Sequence, residues 1–510
     1  MRKNLLALSI AAMIGGVSGM ANAAVFKSDA AVLAGAVADA TKDLALAANT
    51  ATALNPTVSG VGHILTIPYF STQGGNATLL NITNTDVVNG KAVKLRFRGA
   101  ANSDDIFDIT IFLSPGDVWS AAVSASGELS ALSTSDTSCT LPSIADIKAQ
   151  GGLFKTGRVN PTNSNAETRE GYVEILNTAD IPTGSALFTA IKHVAGKAPC
   201  TASVMDAQSA DLKAGDAANN PRTRGYSWPT GGLYANWILV NTTDKASFSG
   251  EAVAVRAETA AGLNGSGNLV SFPQTTDAPD YATSVEAAPN QVRGFTADPL
   301  LQSAGFAGQV ANYDFPDLST PYTSGLTINA AGTAAQATAL ANALATKSVV
   351  NDYLVGGGAS FTTDWVFSMP TRRYAAAVDY AAKTVLFNAA VNTHFSSANT
   401  SLNTATLQAC VTPGGALKGY SREEDTQSTF VISPDTALKL CGETSVLTFG
   451  SEKVLKAAIA SRIVPVNYAE GWLTVGTTGL GNGLPVIGYA ATKAAGATNL
   501  GGTWTHRTAK

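Results

Sequence analysis

Between Val61 and Val123, short apolar runs alternate with turn chemistry at near-regular spacing. Val61, His63, Leu65 and Ile67 alternate with their neighbours up to Pro68 and the Gly74-Gly75 pair. Leu80 and Ile82 follow, closed by Asn84-Thr85-Asp86 and Asn89-Gly90. Next, Val93, Leu95 and Phe97 point one way while Lys94, Arg96 and Arg98 point the other. The run Phe107, Ile109, Ile111 and Leu113 ends at Ser114-Pro115-Gly116. A period of two, bounded by Gly, Pro, Asn and Asp, predicts antiparallel strands with one buried face, and several in succession predict a sandwich or barrel. On this reading Lys94, Arg96 and Arg98 line the outward face of their strand.

The pattern continues beyond this stretch. Strands are predicted at Gly171–Leu176 and Ala186–Ile191, then at Thr363–Met369, Val378–Phe387, Phe430–Ile432, Val446–Phe449 and Gly471–Val475, with a last apolar run over Leu484–Tyr489. The motif G-x-A-V-x-φ-R occurs at Gly90–Arg96 and again at Gly250–Arg256, each following a similar strand, which predicts duplication of one β unit. Ala334, Leu340, Leu344 and Val349-Val350 lie in a helix-forming run, predicting a helical insertion near 330–354. The fold class expected is mainly β: two antiparallel β-sandwich-like, immunoglobulin-like domains with a small helical insertion. The domain limits expected are an Ala-rich, helix-inclined lead-in over 24–60, a first β domain over 61–222 and a second over 223–510.

Composition adds an address. Arg2 and Lys3, the apolar run Leu5–Met20 and Ala21-Asn22-Ala23 form the n-region, core and small-x-small end of a signal peptide over 1–23. Export to the cell surface or medium is expected, with the periplasm as the alternative. Removing that segment takes two positive charges from a net charge of −4, giving −4 − 2 = −6. With no basic stripe, no nucleic-acid partner is expected, and no other run is long enough for transmembrane insertion. Four cysteines in an exported chain predict two disulfides, and proximity along the chain favours Cys139 with Cys200 and Cys410 with Cys441.

Chemistry is harder to find. His63, His193, His394 and His506 have no ligand spacing, and neither a nucleophile elbow, a P-loop nor a dinucleotide fingerprint occurs. Gly356-Gly357-Gly358 lacks the strand–turn–helix setting of a phosphate loop. Asp104, Asp105 and Asp108 cluster at a strand entry, and Glu423, Glu424 and Asp425 follow Tyr420-Ser421-Arg422. Such loop carboxylates supply hard oxygen ligands, so structural calcium at Asp104, Asp105 and Asp108 is one expectation, with no other cofactor. The competing readings are solvated turn charge and salt bridges to Arg96, Arg98 or Arg422. Of the six tryptophans, Trp228, beside Pro229 and two glycines, is the one expected at the surface.

Three segments carry a family likeness: Ile67–Trp119, Thr363–Tyr374 and Tyr420–Asp425, with Cys410 and Cys441 around the last. In them the chain resembles a family of exported proteobacterial cell-surface, surface-layer-like proteins. The resemblance implies a place at the envelope exterior and a structural, non-enzymatic role, with no catalytic residue to carry over. Partners are then further copies of the chain or other envelope components. The alternatives are an adhesin or glycan-binding module using Trp228, and an envelope hydrolase using the Asp104, Asp105 and Asp108 cluster.

Overall fold

The computed structural model describes residues 24–26, 51–157, 159–209, 221–267, 269–271, 330–357, 360–430, 437–450, 452–494 and 500–510. The expected signal peptide, most of the lead-in and the Val431–Ile432 end of one predicted strand lie outside these residues. Apolar alternation closes the first half of the chain into two facing antiparallel sheets. One has seven strands, in the order Ala53–Pro56, Val253–Glu258, Ile64–Ser71, Glu170–Ile181, Gly90–Gly99, Asp105–Leu113 and Cys139–Leu141. The other has five: Ala246–Glu251, Leu233–Asn241, Asn76–Asn84, Val118–Ser126 and Leu129–Ser133. Leu65, Val93, Leu95, Ile109 and Val173 from the first meet Leu80, Ile82, Trp119, Trp237 and Leu239 from the second, all nearly inaccessible to solvent. Phe70, Phe97, Phe107 and Phe154 pack at centroid distances of 4.9–6.1 Å in this core.

The second half repeats the plan with two five-stranded sheets. One runs Thr426–Gln427, Leu417–Ser421, Glu470–Gly476, Ser348–Leu354 and Arg507–Ala509. Its partner runs Ser461–Ile463, Thr444–Phe449, Phe361–Ser368, Ile487–Ala494 and Leu500–Thr505, antiparallel except for the first pair. Val349, Tyr353, Trp365, Phe367, Phe449, Leu473 and Val475 fill the space between. The chain is thus mainly β and sandwich-like in both halves.

Several sequence expectations change. The boundary near residue 222 does not divide the sandwiches, because Leu233–Asn241, Ala246–Glu251 and Val253–Glu258 complete the sheets of the first. The two echoed segments are neighbours in one fold: Leu233–Asn241 pairs antiparallel with Asn76–Asn84, and Val253–Glu258 shares the seven-stranded sheet with Gly90–Gly99. The helix spans Ala330–Leu344 only, burying Ala337, Leu340, Ala341 and Leu344 at helical spacing, and Ser348–Leu354 is a strand. Ala186–Ile191 is a helix, not a strand: Ser185 caps it by accepting from Phe188 N at 2.9 Å, and Leu187, Ala190 and Ile191 form its buried face. Pro68 sits inside Ile64–Ser71, where the pairing with Glu170–Ile181 shifts register between Gly171 and Val173, a bulge that tolerates a missing N–H. Gly171 is required there, since a Cβ would lie 1.7 Å from the Arg98 carbonyl oxygen.

Candidate functional site

The strand Gly90–Gly99 is buried on both faces. Lys94, Arg96 and Arg98 are 0–3% exposed, so the expectation that they face solvent is overturned. The outer face of the seven-stranded sheet is a seam against the second sandwich, and the alternate positions of that strand supply its charge. Arg98 Nε donates to Glu174 Oε2 at 3.2 Å, and Arg373, from the other sandwich, donates through Nη2 to Glu174 Oε1 at 2.7 Å. Arg372 forms an ion pair with Glu443 at 2.8 Å. Arg373 also lies 4.4 Å above the Tyr374 ring. Burial alone would raise the Glu174 carboxyl, but Arg373, Arg98 and Arg96 outweigh it and hold it below its ordinary value. Glu443 goes the other way: burial raises it despite Arg372 and Arg373.

Asp104, Asp105 and Asp108 belong to this seam. They are 1–3% exposed, which overturns their reading as solvated loop charge. Asp108 pairs with Lys94, and Asp105 Oδ2 lies 3.9 Å from both Arg96 and Arg98. Asp104 accepts from the Tyr380 hydroxyl. Burial raises Asp108 and lowers Lys94, each against the pull of its partner, so both are pushed toward neutrality. Among the described residues no group of three or more His, Cys, Asp or Glu side chains is placed to hold a metal. The salt-bridge alternative therefore describes this cluster. The second acidic group stays on the surface, where Arg422 pairs with Glu423 at 3.0 Å and with Glu470 at 2.7 Å.

Sequence reasoning missed Glu170 altogether. Its Oε2 accepts from the Tyr69 hydroxyl at 2.7 Å, while Oε1 accepts the consecutive backbone N–H groups of Ala458, Ile459 and Ala460 in the second sandwich. Burial raises its carboxyl nonetheless. The only signal in the sequence was a second glutamate, four residues before Glu174, at the head of the same strand.

Trp228 is 4% exposed, not a surface platform. It packs with Ile181, Leu187, Ile191 and Met205 beside the Cys139–Cys200 disulfide, and the Arg222 guanidinium lies 6.0 Å from its ring. The second disulfide joins Cys410 and Cys441, so both favoured pairings form. The histidines are structural where buried: His63 Nδ1 accepts from Ala257 N at 3.1 Å while its Nε2 donates to Gly265 O at 2.9 Å, and burial lowers it to about 3.

A different surface stands out instead. The outer face of the sheet formed by Leu233–Asn241, Asn76–Asn84 and Val118–Ser126 carries Ala, Ser, Asn and Thr, with Leu79 and Val118 exposed and Ile238 and Val240 half-buried. Register places Ile238, Leu79 and Ala122 in one row across these strands. Glu251, on the flanking strand Ala246–Glu251, is the one charged side chain on this face among the described residues. Strand spacing of about 4.8 Å and a rise of about 3.4 Å per residue give it roughly 500 Å² of plane.

No helix among the described residues is long and apolar enough to cross a membrane. Comparison with family models, curated proteins and solved structures returned no match to this chain.

Proposed function

We propose that this chain is an exported, non-enzymatic structural protein of the cell exterior that associates with further copies of itself. The observation that carries the reading is the nearly charge-free outer face around Leu79 and Ile238. A sheet face turned to water ordinarily carries polar and charged side chains, whereas the centre of a protein–protein interface is depleted in Lys, Glu and Asp. Its roughly 500 Å² approaches the ~800 Å² that each partner contributes to a standard stable interface. Supporting features are the two disulfides, which suit an oxidising compartment, and the seam that fixes one sandwich against the other. A rigid subunit orders only the contact itself when it packs against its neighbours.

Negative-stain microscopy of the purified chain from Ala24 onward tests this. Ordered sheets or filaments are expected, unchanged by chelation because the Asp104, Asp105 and Asp108 cluster is closed by cations. Replacing Leu79 or Ile238 with Lys, both outside the cores, should abolish the assemblies and leave the folded subunit intact by circular dichroism. Monodisperse single subunits from the unsubstituted chain at high concentration would overturn the proposal.

A further inference from the structure

We propose that a neutral polysaccharide binds on the outer face of the sheet formed by Leu417–Ser421, Glu470–Gly476 and Ser348–Leu354, with Trp472 as its stacking surface and Asp352 as its hydroxyl acceptor. This surface lies in the second sandwich, so the inference does not rest on the self-association proposed above.

Register sets Thr426, Tyr420, Trp472 and Asp352 side by side on four neighbouring strands. Four strands at about 4.8 Å make this row about 14 Å long, enough for more than one sugar ring. The Tyr420 and Trp472 rings stack at 4.1 Å and 13°. Tyr420 therefore occupies one face of the indole and holds it upright, while the other face is turned toward the Asp352 strand. Trp472 keeps 38% of its surface exposed. On the next strand Asp352 is exposed and short, so it leaves space beside the indole. The following strand, Arg507–Ala509, pairs with Ser348, Val349 and Val350, and before it the Trp504 carbonyl accepts from Asn351 Nδ2 at 3.0 Å, so the segment from Trp504 to His506 bounds the shelf beyond the Asp352 strand. One row along, Lys418, Thr474, Val350 and Arg507 lie in line, adding exposed Lys418 and Arg507 as donors.

The chemistry fits a sugar. The C–H face of a pyranose carries small positive charge and packs on the negative face of an aromatic ring, best on Trp. A carboxylate accepts from hydroxyl groups, and ammonium or guanidinium groups donate to them. With both signs of charge at its rim the shelf has no strong field to select a polyanion, which favours an uncharged polymer. A cross-strand aromatic pair that served stability alone would need no open indole face beside a short acceptor.

Isothermal titration and affinity electrophoresis should be run on the full chain from Ala24 with a soluble neutral β-glucan, chitin-type oligosaccharides and a polyuronate. Saturable binding to a neutral ligand is expected, weakened by about tenfold or more in Trp472→Ala and measurably in Asp352→Ala. Trp472→Phe should retain part of the affinity. Leu79→Lys, on the outer face of the first sandwich, should leave it unchanged. Unfolding midpoints confirm that each variant is native. The proposal is overturned if no neutral ligand in the panel binds, if Trp472→Ala binds as well as the unsubstituted chain, or if only the polyuronate binds with salt-sensitive affinity.

Discussion

Glu174 is the shared counter-charge of two guanidiniums that reach it from the two sandwiches, Arg98 from the first and Arg373 from the second. Lys94, Arg96 and Arg98 alternate with Val93, Leu95 and Phe97, and a polar face ordinarily means water. Here the polar face meets Glu174, Asp105, Asp108 and, across the seam, Arg373. The inward set was legible because hydrophobic burial depends only on residue type and period. The fate of the outward set depended on a partner surface hundreds of residues away in sequence, which no local pattern encodes. Trp228 was misread for the same reason: its neighbours Pro229 and Gly231 predict a loop, yet a helix and a disulfide close over it. Removing one member of a buried ion pair leaves the others uncompensated, typically a loss of about 3–5 kcal/mol. Glu174→Gln should therefore lower stability in urea by about that amount, since Arg98 and Arg373 both rely on it. The double change Glu174→Leu with Arg373→Met should cost less than the sum of the two single changes, and additive losses would remove Glu174 from its role as their shared counter-charge.

Among the elements, the strands were the most legible part, because a period of two bounded by turn residues leaves few alternatives. Asn76–Asn84, Gly90–Gly99, Asp105–Leu113 and Phe361–Ser368 lie where alternation places them. Ala186–Ile191 was not legible: six residues without charge satisfy both a short strand and one helical turn, and the deciding contact is Ser185 at the cap. The domain limit near 222 failed for a topological reason. A polar, low-complexity stretch looks like a linker, but the chain returns after it to supply three strands to the first sandwich. Leu233–Asn241 lies between Asn76–Asn84 and Ala246–Glu251, and its Trp237 and Leu239 fill the core. A fragment of residues 51–222 should therefore fail to fold, shown by collapsed amide dispersion in NMR and rapid proteolysis. A stable, dispersed fragment would mean the sheets can close without those strands.

At the scale of the whole molecule the two sandwiches act as one body, because side chains from the second enter the core of the first. Val366, Val446, Leu455 and Tyr489 pack with residues of the first core, and the Trp237 and Tyr489 rings lie 4.7 Å apart. Asp364 sits in this contact, accepting from Leu455 N at 2.8 Å. Burial raises its carboxyl to about 7, against the backbone donor and Lys453. The folded value exceeds the unfolded one, so the stability it permits is complete below about pH 4 and falls as pH rises to about 7, by about 4 kcal/mol. Asp364→Asn should remove that slope, so the variant gains on the unsubstituted chain between pH 4 and 7 in denaturant titrations. Equal pH profiles would place the ionisation elsewhere. His63 and His506 bend the total curve the opposite way: burial lowers both to about 3, so their contribution is lost as pH falls below about 6.5. Comparing the two chains at each pH isolates Asp364 from them.

The pairing of distant strands also sets the order of events when the chain is made. Ala53 pairs with Glu258, and Ser348 with Ala509, so each sandwich waits for its final strand before its edge closes. Contacts so far apart in sequence make folding slow. Emerging from the ribosome, the chain lacks the closing strands for most of its synthesis, and the last of them is not available until residue 509. That delay leaves the early strand Ala53–Pro56 without its sheet neighbour until Val253–Glu258 has been made, so the first sandwich cannot finish folding as its own first strands emerge.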